Sequence, residues 1–278
     1  MKNLIAPIKC CSITILFATL TACGGGSGGS SNTAPIVNDP VTEAPSVIDA
    51  DSDGIPDADD AFPLDAAESI DTDGDGIGNN ADEDDDNDLV LDTDDIDDNN
   101  NGFIEISSLE QLDFIRHHLD GSALGDGIES STLGCFIDTG CIGYELTQNL
   151  DFDINSDDVM DSNDAPFFDY DTDGENNGWL PIGDNTTPFT AQFNGNGFEI
   201  RNLFINRPSA DDATSGKNIG LFGVVSAGTL KNIGLGGAVM TITGETSVGS
   251  LVGRLIDGSK LSSSYSTGNV TGKNNSIG

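Results

Sequence analysis

Residues 48–60 read IDADSDGIPDADD and residues 70–82 read IDTDGDGIGNNAD, so aspartates alternate with small residues and a glycine follows the third aspartate. The acidic composition continues to residue 98, and no Lys or Arg occurs between residues 11 and 115. Carboxylates at this density repel one another, and ordering them requires a neutralising cation. The Asp-x-Asp-x-Asp-Gly spacing is the one by which a chain wraps oxygen ligands around Ca²⁺. The stretch therefore predicts a segment with little regular structure that calcium organises.

Four frames of a twelve-residue calcium loop fit this stretch. We call residues 49–60, 71–82, 84–95 and 97–108 the first to fourth acidic loops, and residues 49–106 the acidic segment. In such a loop, side-chain oxygens at positions 1, 3 and 5 converge on the ion, and glycine at position 6 permits a sharp turn. The predicted metal ligands are Asp49, Asp51, Asp53, Asp57 and Asp60 in the first loop, Asp71, Asp73, Asp75, Asn79 and Asp82 in the second, Asp84, Asp86, Asp88, Asp92 and Asp95 in the third, and Asp97, Asn99, Asn101 and Glu105 in the fourth.

Two positions depart from the calcium-loop pattern. Leu89 stands at position 6 of the third loop, where glycine is expected, and Ser108 stands at position 12 of the fourth loop, where an acid is expected. We therefore expect these two loops to be the weaker sites. Two further candidates lie downstream, although acidic turns also occur without metal. Their residues are Asp153, Asn155, Asp157, Asp161 and Asp164, with Asp158 at the glycine position, and Asp169, Asp171 and Asp173, followed by Gly174.

The second, third and fourth loops begin 13 residues apart, which leaves no room for the flanking helices of a helix-loop-helix hand. Residues 49–105 resemble thrombospondin type 3 repeats, in which calcium ions form the core of the module. The resemblance implies a calcium-dependent and fairly rigid spacer, of a kind often found in adhesive or cell-wall-associated proteins.

The chain of 278 residues carries 48 acids against 10 bases, a net charge of -38. We expect no nucleic-acid partner, because a phosphate backbone needs a basic surface. A strongly acidic chain is also typical of a soluble surface or a disordered acidic tail. Acids held at fixed spacing between glycines favour calcium over these alternatives.

The N-terminus has the pattern of a targeting segment. Two lysines precede a short apolar run over residues 12–20, and this run is shorter than the ~20 residues of a membrane-spanning helix. The run ends in Leu20-Thr21-Ala22-Cys23, which resembles the bacterial lipobox and implies cleavage before Cys23 and lipid on its sulfur. Gly24, rather than Asp, follows Cys23, and by resemblance to Gram-negative lipoproteins this implies the outer membrane. An ordinary secretory signal with an incidental cysteine is the alternative.

Cys135 and Cys141 remain once the signal and the lipidated cysteine are set aside. Two thiols that bracket a short loop in an exported protein predict a disulfide. A zinc site is the weaker alternative, because no further Cys or His lies near them in the sequence.

One helix and a series of short strands are predicted after the acidic segment. Residues 107–119 combine a capping box of Ser107 and Glu110 with an apolar face, and Gly121 follows the end. The two adjacent histidines of this helix point in different directions and are poor joint ligands. From about Phe189 onward the chain has short β-type runs, so a mainly β fold is predicted.

The β-rich part repeats with a period near 30 residues. One thread consists of Ile219-Gly220, Val248-Gly249 and Ile277-Gly278, at intervals of 29. A second thread aligns Ile200, Leu230 and Leu261, at intervals of 30 and 31. Such a period, with strands and turns only, predicts a parallel β-helix-like solenoid with coils about 4.8 Å apart. The last unit has no polar cap, which predicts an incomplete solenoid.

Four motifs in this part are Gly178-Trp179-Leu180-Pro181-Ile182-Gly183, Phe193-Asn194-Gly195-Asn196-Gly197, Ile219-Gly220-Leu221-Phe222-Gly223 and Val248-Gly249-Ser250-Leu251-Val252-Gly253. Residues 103–278 resemble proteins that carry the GLUG motif, although Ser250 is an extra residue relative to the tighter copy. The resemblance implies a bacterial surface protein, adhesin-like or attached to a secreted peptidase, with parallel β-helix repeats. It implies no fixed activity.

The predicted organisation is a lipoprotein signal peptide at residues 1–22, a lipidated Cys23 and flexible linker at residues 23–48, calcium-binding repeats at residues 49–106 and a GLUG-type β-helix domain at residues 107–278. The interpretation we favour is a calcium-binding, non-enzymatic surface protein. It is anchored in the outer membrane through lipid on Cys23 and acts as a stalk and adhesion module for an extracellular glycan or protein.

Two alternatives stay open at the sequence level. The chain fits the N-terminal part of a secreted carbohydrate-active enzyme or peptidase whose β-helix or missing C-terminal region carries catalysis. It also fits a passive lipoprotein whose acids only repel and solvate, and such a protein would not respond to calcium.

Overall fold

A computed structural model of the protein describes residues 48–127, 130–135, 140–167, 176–208 and 217–273. The chain divides into two compact units, Met1–Ser46 and Val47–Gly278, and all of the described residues belong to the second. The predicted signal peptide, Cys23 and the linker up to residue 47 lie outside the described residues. The same holds for Ile277-Gly278 and for the candidate loop at residues 169–174.

Short strands are the main regular structure of the described residues, which confirms the mainly β fold. The strands are β1 (Phe103–Ile106), β2 (Leu124–Gly125), β3 (Ser130–Ser131), β4 (Gly143–Leu146), β5 (Leu150–Asp151), β6 (Gln192–Asn194), β7 (Glu199–Arg201), β8 (Phe204–Asn206), β9 (Lys217–Ile219), β10 (Phe222–Ser226), β11 (Thr229–Lys231), β12 (Gly234–Gly236), β13 (Thr241–Gly244), β14 (Thr246–Val248), β15 (Val252–Ile256), β16 (Lys260–Ser262), β17 (Tyr265–Ser266) and β18 (Asn269–Gly272). Among the described residues, the acidic segment contains no helix or strand before β1.

The strands stack in parallel, as the predicted solenoid requires. The largest sheet has the order β1-β4-β6-β11-β16, and smaller parallel sheets follow the orders β17-β12-β7-β5 and β18-β13-β8. Successive coils of the chain thus contribute one strand each to the same sheets. Strands β2 and β3 form a separate antiparallel pair.

An apolar column runs through the largest sheet. Register aligns Ile104, Tyr144, Phe193 and Leu230 on successive strands, and all four side chains are fully buried. Full burial of a large apolar side chain stabilises a fold by about 1.5–3 kcal/mol, so this column is a major part of the core. Leu261 continues the column on β16 and is partly exposed.

The repeat predicted from the sequence is correct in two intervals and wrong in one. Val248 pairs with Ile219 and Leu261 pairs with Leu230, as predicted. Ile200 was expected to align with Leu230, but it pairs with Leu235. The coil is longer than 30 residues there because residues 207–216 connect β8 to β9, whereas one residue connects β13 to β14.

The predicted helix over residues 107–119 is shorter in the structure. Helix α1 spans Leu109–Phe114, and a 3-10 turn continues it through Ile115–His117. The cap is Ser108, whose Oγ accepts the Gln111 N–H at 3.1 Å, so the predicted Ser107–Glu110 capping box is wrong by one residue. The shift has a local cause, since Gln111 Oε1 accepts the Ser107 N–H at 2.8 Å and β1 extends to residue 106.

Cys135 and Cys141 form the predicted disulfide, with Cα atoms 4.9 Å apart. The segment that carries it packs on the acidic segment, because the Ile96 N–H donates to the Leu133 carbonyl at 3.2 Å. Gly134 lies directly against Asp95, with no room for a side chain between them.

A Gly134→Ala variant should lower the thermal midpoint of unfolding. Gly134 has φ +84°, and an added Cβ would lie 1.5 Å from Asp95 Oδ1. Gly140→Ala is a matched control, since Gly140 also has a positive φ of +66° but has open space around it. The left-handed backbone alone costs about 1–2 kcal/mol, and the Gly134 variant should lose clearly more. Equal losses in the two variants would show that the contact with Asp95 contributes nothing.

Candidate metal centre

The four acidic loops close in the same way. The backbone N–H at position 9 donates to the carbonyl that precedes position 1, and the side chain at position 9 accepts the N–H of position 2. The backbone bonds join Asp57 to Ile48, Asn79 to Ile70, Asp92 to Glu83 and Glu105 to Ile96, at 2.9–3.1 Å. In the side-chain bonds, the donors are the N–H groups of Ala50, Thr72, Asp85 and Asp98, at 2.7–3.1 Å. The same hydrogen-bonded unit therefore recurs in all four loops, and the last three copies begin 13 residues apart.

The aspartate at position 1 anchors each turn. In the first loop, the Asp49 carboxylate accepts the N–H of Ser52 at 2.7 Å and of Gly54 at 3.2 Å. The corresponding residues of the other loops, Asp71, Asp84 and Asp97, each accept the N–H of position 6 and one more N–H from the same turn. These turns resemble the local side-chain-to-backbone bonds that Asp makes in Asx turns.

The side chains at positions 1, 3 and 5 converge in the first three loops. Ligand oxygens from each triad lie within 4.8 Å of one another, and the triads are Asp49, Asp51 and Asp53, then Asp71, Asp73 and Asp75, then Asp84, Asp86 and Asp88. One oxygen of each position 5 carboxylate accepts the N–H of position 7 at 2.7 or 2.8 Å. Among the described residues, the buried oxygens Asp51 Oδ2, Asp60 Oδ2 and Asp86 Oδ2 accept no hydrogen bond. Such oxygens are free to bind a cation.

The remaining predicted ligands hold the loops together. Position 9 residues close the loops, as described above. Position 12 residues Asp60, Asp82 and Asp95 each accept the N–H of the residue two places along the chain. Desolvation is the largest cause that raises the pKa of Asp51. Repulsion from nearby acids, Asp60 among them, raises it further, so Asp60 lies close to the first triad.

Backbone conformation explains both the pattern and its exception. Position 6 has a positive φ in all four loops, including +79° at Leu89. The sequence pattern identified Leu89 as a departure from the glycine expected at this turn. In the structure Leu89 adopts the left-handed conformation, and its side chain is exposed. Position 4 also has a positive φ in every loop, a requirement the sequence analysis missed. Its residues are Ser52, Gly74, Asn87 and Asn100, and Asn and Gly are the residues that tolerate this conformation best.

An acid from outside the loop, Glu145, contacts the side chains of the fourth loop. Ser108, at position 12, caps helix α1 and lies outside the turn. Glu145 on β4 is only 4% exposed, and its Oε1 accepts the amide N–H of Asn101 at 2.7 Å and of Asn99 at 3.0 Å. Asn99 Oδ1 is buried and accepts no hydrogen bond within the described chain. No local pattern could predict Glu145, because only the pairing of β1 with β4 brings it opposite Glu105.

Burial makes the carboxylates around the fourth loop hard to ionise. Desolvation raises the pKa of Glu105 to about 8 and that of Asp97 to about 6. Burial also raises the pKa of Asp85 to about 6, and it raises the pKa of Asp98. No Lys or Arg occurs between residues 11 and 115 to offset this cost.

The downstream candidate at residues 153–164 adopts the same turn. The Asp153 carboxylate accepts the N–H of Asp157 at 3.2 Å and of Asp158 at 2.8 Å, and Asp158 has φ +60° at the glycine position. Asp164, fully buried, closes the turn by accepting the Ile154 N–H at 2.9 Å. The turn bonds of positions 1 to 7 therefore match those of the acidic loops, whereas the closing bond to the position 2 N–H comes from position 12 instead of position 9.

A groove beside helix α1 contains two of the chain's ten Lys and Arg residues. Arg116, His117, Lys217, Asp184 and Asn185 line part of it. The Arg116 guanidinium lies 4.8 Å from the Trp179 ring centroid and donates to the Leu180 carbonyl at 3.0 Å. The Arg116 guanidinium is thus held in this groove by fixed contacts.

Replacing Leu89 by glycine should stabilise the third loop. A non-glycine residue in the left-handed region costs about 1–2 kcal/mol, and the exposed Leu89 side chain has little packing to lose. A higher thermal midpoint is expected for Leu89→Gly. Gly76→Leu in the second loop is the reverse exchange at the same position and should lower the midpoint. A loss of stability in Leu89→Gly would contradict this account of the turn.

Within the described residues, no helix has both the length and the apolar character needed to cross a bilayer. No family model and no solved structure matches the chain. A protein of Evansella cellulosilytica that carries the provisional name Gly-rich membrane protein is 45% identical over 78 residues. The match covers 27% of this chain and 8% of that relative. About a quarter of the chain is therefore similar to a small part of a much longer protein.

Proposed function

We propose that the acidic segment binds Ca²⁺ and serves as a stiff spacer between a membrane anchor and a β-solenoid that presents a binding surface. The observation that carries the proposal is the convergence of three carboxylates in each of three successive loops. Carboxylates held this closely without basic neighbours are stabilised by a cation. Each loop already fixes its backbone through its own aspartates, so little further ordering is needed to bind one.

The donor set favours calcium among the metals. The triads offer only carboxylate oxygens, and hard oxygen ligands suit Ca²⁺ and Mg²⁺ rather than Zn²⁺. Ca²⁺ accepts six to eight oxygens in irregular arrangements, whereas Mg²⁺ demands near-ideal octahedral geometry. A chain that supplies side-chain oxygens and turn carbonyls from one loop fits the first requirement better.

Glu145 gives the fourth loop a structural role in this proposal. Asp97, Asn99, Asn101 and Glu145 together would hold an ion at the point where the acidic segment becomes β1. Since Glu145 belongs to β4, that ion would join the spacer to the solenoid. The buried Asn99 Oδ1, which accepts no hydrogen bond from the described residues, fits such a role.

The membrane end of the proposal rests on the sequence and on one relative. The lipobox-like Leu20-Thr21-Ala22-Cys23 supports a lipid anchor on Cys23, and the partial relative is itself named as a membrane protein. We place the protein at the bacterial outer membrane, exposed on the surface. The groove that contains Arg116 and Lys217 is the binding surface we favour for an extracellular glycan or protein, in a binding rather than a catalytic role.

Stability as a function of pH, with and without calcium, tests the calcium proposal. The pKa of Glu105 rises from 4.5 to about 8 and that of Asp97 from 3.8 to about 6. The folded chain therefore holds more protons than the unfolded chain in this window, and its stability should fall as the pH rises through it. In a chelator, we expect a lower thermal midpoint at about pH 8 than at about pH 5.

Millimolar Ca²⁺ should remove most of that loss at the higher pH and protect the acidic segment from proteolysis. Equal concentrations of Mg²⁺ provide the control for general screening. A full chain whose melting profile and protease sensitivity do not respond to Ca²⁺ would be the passive lipoprotein instead.

Glu145→Gln tests the fourth loop. Glutamine keeps the shape of the side chain and removes its charge, so the variant should gain less stability from Ca²⁺ than the parent does. Glu110→Gln, at an exposed position on α1, is the matched control and should behave as the parent. An unchanged calcium response in Glu145→Gln would remove Glu145 from the site.

A further inference from the structure

A second cluster of carboxylates lies outside the four loop centres. Oxygens of Asp85, Asp92 and Asp98 lie within 4.8 Å of one another. Asp85 is only 8% exposed, and its Oδ1 is buried and accepts no hydrogen bond in the described chain. Neither Asp85 nor Asp98 occupies a ligand position of the calcium-loop pattern, since both stand at position 2.

The 13-residue spacing creates this cluster. It brings position 9 of the third loop, Asp92, against position 2 of the same loop and position 2 of the fourth loop. Asp92 Oδ1 accepts the Asp85 N–H at 3.0 Å, and the Asp92 and Asp98 side chains contact each other. The cluster therefore lies at the junction of two loops, with two carboxylates from the third loop and one from the fourth.

The junction of the second and third loops shows how these positions form hydrogen bonds without a cation. The residues there that correspond to Asp85, Asp92 and Asp98 are Thr72, Asn79 and Asp85. The Asn79 amide donates to Thr72 Oγ1 at 2.8 Å, and the Asn79 side chain also lies beside the Asp85 carboxylate and lowers its pKa. At the junction of the third and fourth loops, Asp92 stands where Asn79 does, so an amide donor is replaced by a further negative charge.

Among the residues that the structure describes, no side-chain cation pairs with this junction. The sequence has no Lys or Arg between residues 11 and 115, and the two ion pairs found among the described residues join Arg116 to Asp113 and Arg201 to Glu199. Oxygens on opposite sides of a Ca²⁺ ion bound at about 2.4 Å are about 4.8 Å apart. Three carboxylates within that limit can bind one ion.

We propose that Asp85, Asp92 and Asp98 bind an additional Ca²⁺ at the junction of the third and fourth acidic loops. The site is separate from the loop centres and extends the proposed calcium-binding function to a bridging position. An ion there would fix one loop against the next and stiffen the spacer where it approaches the solenoid.

Calcium stoichiometry of the full chain tests this site. Equilibrium dialysis with radioactive Ca²⁺ should show one ion fewer per chain in Asp98→Asn than in the parent. Asp85→Asn is a second variant of the same site and should show the same loss. Asp94→Asn removes a charge from an exposed position of the third loop and is the matched control, expected to bind as many ions as the parent.

Thermal unfolding in a chelator provides a readout that does not depend on bound calcium. Asp98→Asn should raise the midpoint there, because it relieves repulsion, and Asp94→Asn should change it less. An unchanged stoichiometry in both Asp98→Asn and Asp85→Asn, in a parent that binds calcium, would overturn the junction site and leave the loop centres standing. A parent that binds no calcium would overturn both.

Discussion

The aspartate that begins each acidic loop accepts two backbone N–H groups from its own turn, and the structure of residues 49–105 depends on that contact. The bond fixes the backbone without an apolar core and directs the neighbouring carboxylates toward one point. Its consequence is electrostatic, since the same turn that orders the chain concentrates negative charge. The proposed calcium ions are the complement to this local order.

Two kinds of core thus meet in one chain. The acidic segment buries oxygens around its turns, whereas the solenoid buries the column of Ile104, Tyr144, Phe193 and Leu230. The change from one to the other takes place within a few residues. Phe103 is position 7 of the fourth loop and also the first residue of β1, so the acidic segment has no separate end before the sheet begins.

Contacts between the acidic segment and the rest of the described chain explain how a segment without an apolar core can be held at a fixed place. Glu145 reaches from β4 to the amides of Asn99 and Asn101, and the disulfide-bonded segment packs on Asp95 and Ile96. Both contacts join residues far apart in sequence. A spacer that ended in a flexible hinge would need neither of them, and their presence fits the stiff spacer proposed above.

The sequence by itself determined the local features. The mainly β fold, the stacking of Ile219 with Val248, the disulfide and the turn that Leu89 strains all followed from spacing and residue type, because each depends on neighbours a few residues away or on a regular repeat. Tertiary structure alone decided the rest. The longer coil between β8 and β9 shifted Ile200 to Leu235, because residues 207–216 add to the length of the chain between these strands. The position of Glu145 at the fourth loop and the meeting of Asp85 with Asp98 depend on which strands and loops pack together, and a single sequence does not state such contacts.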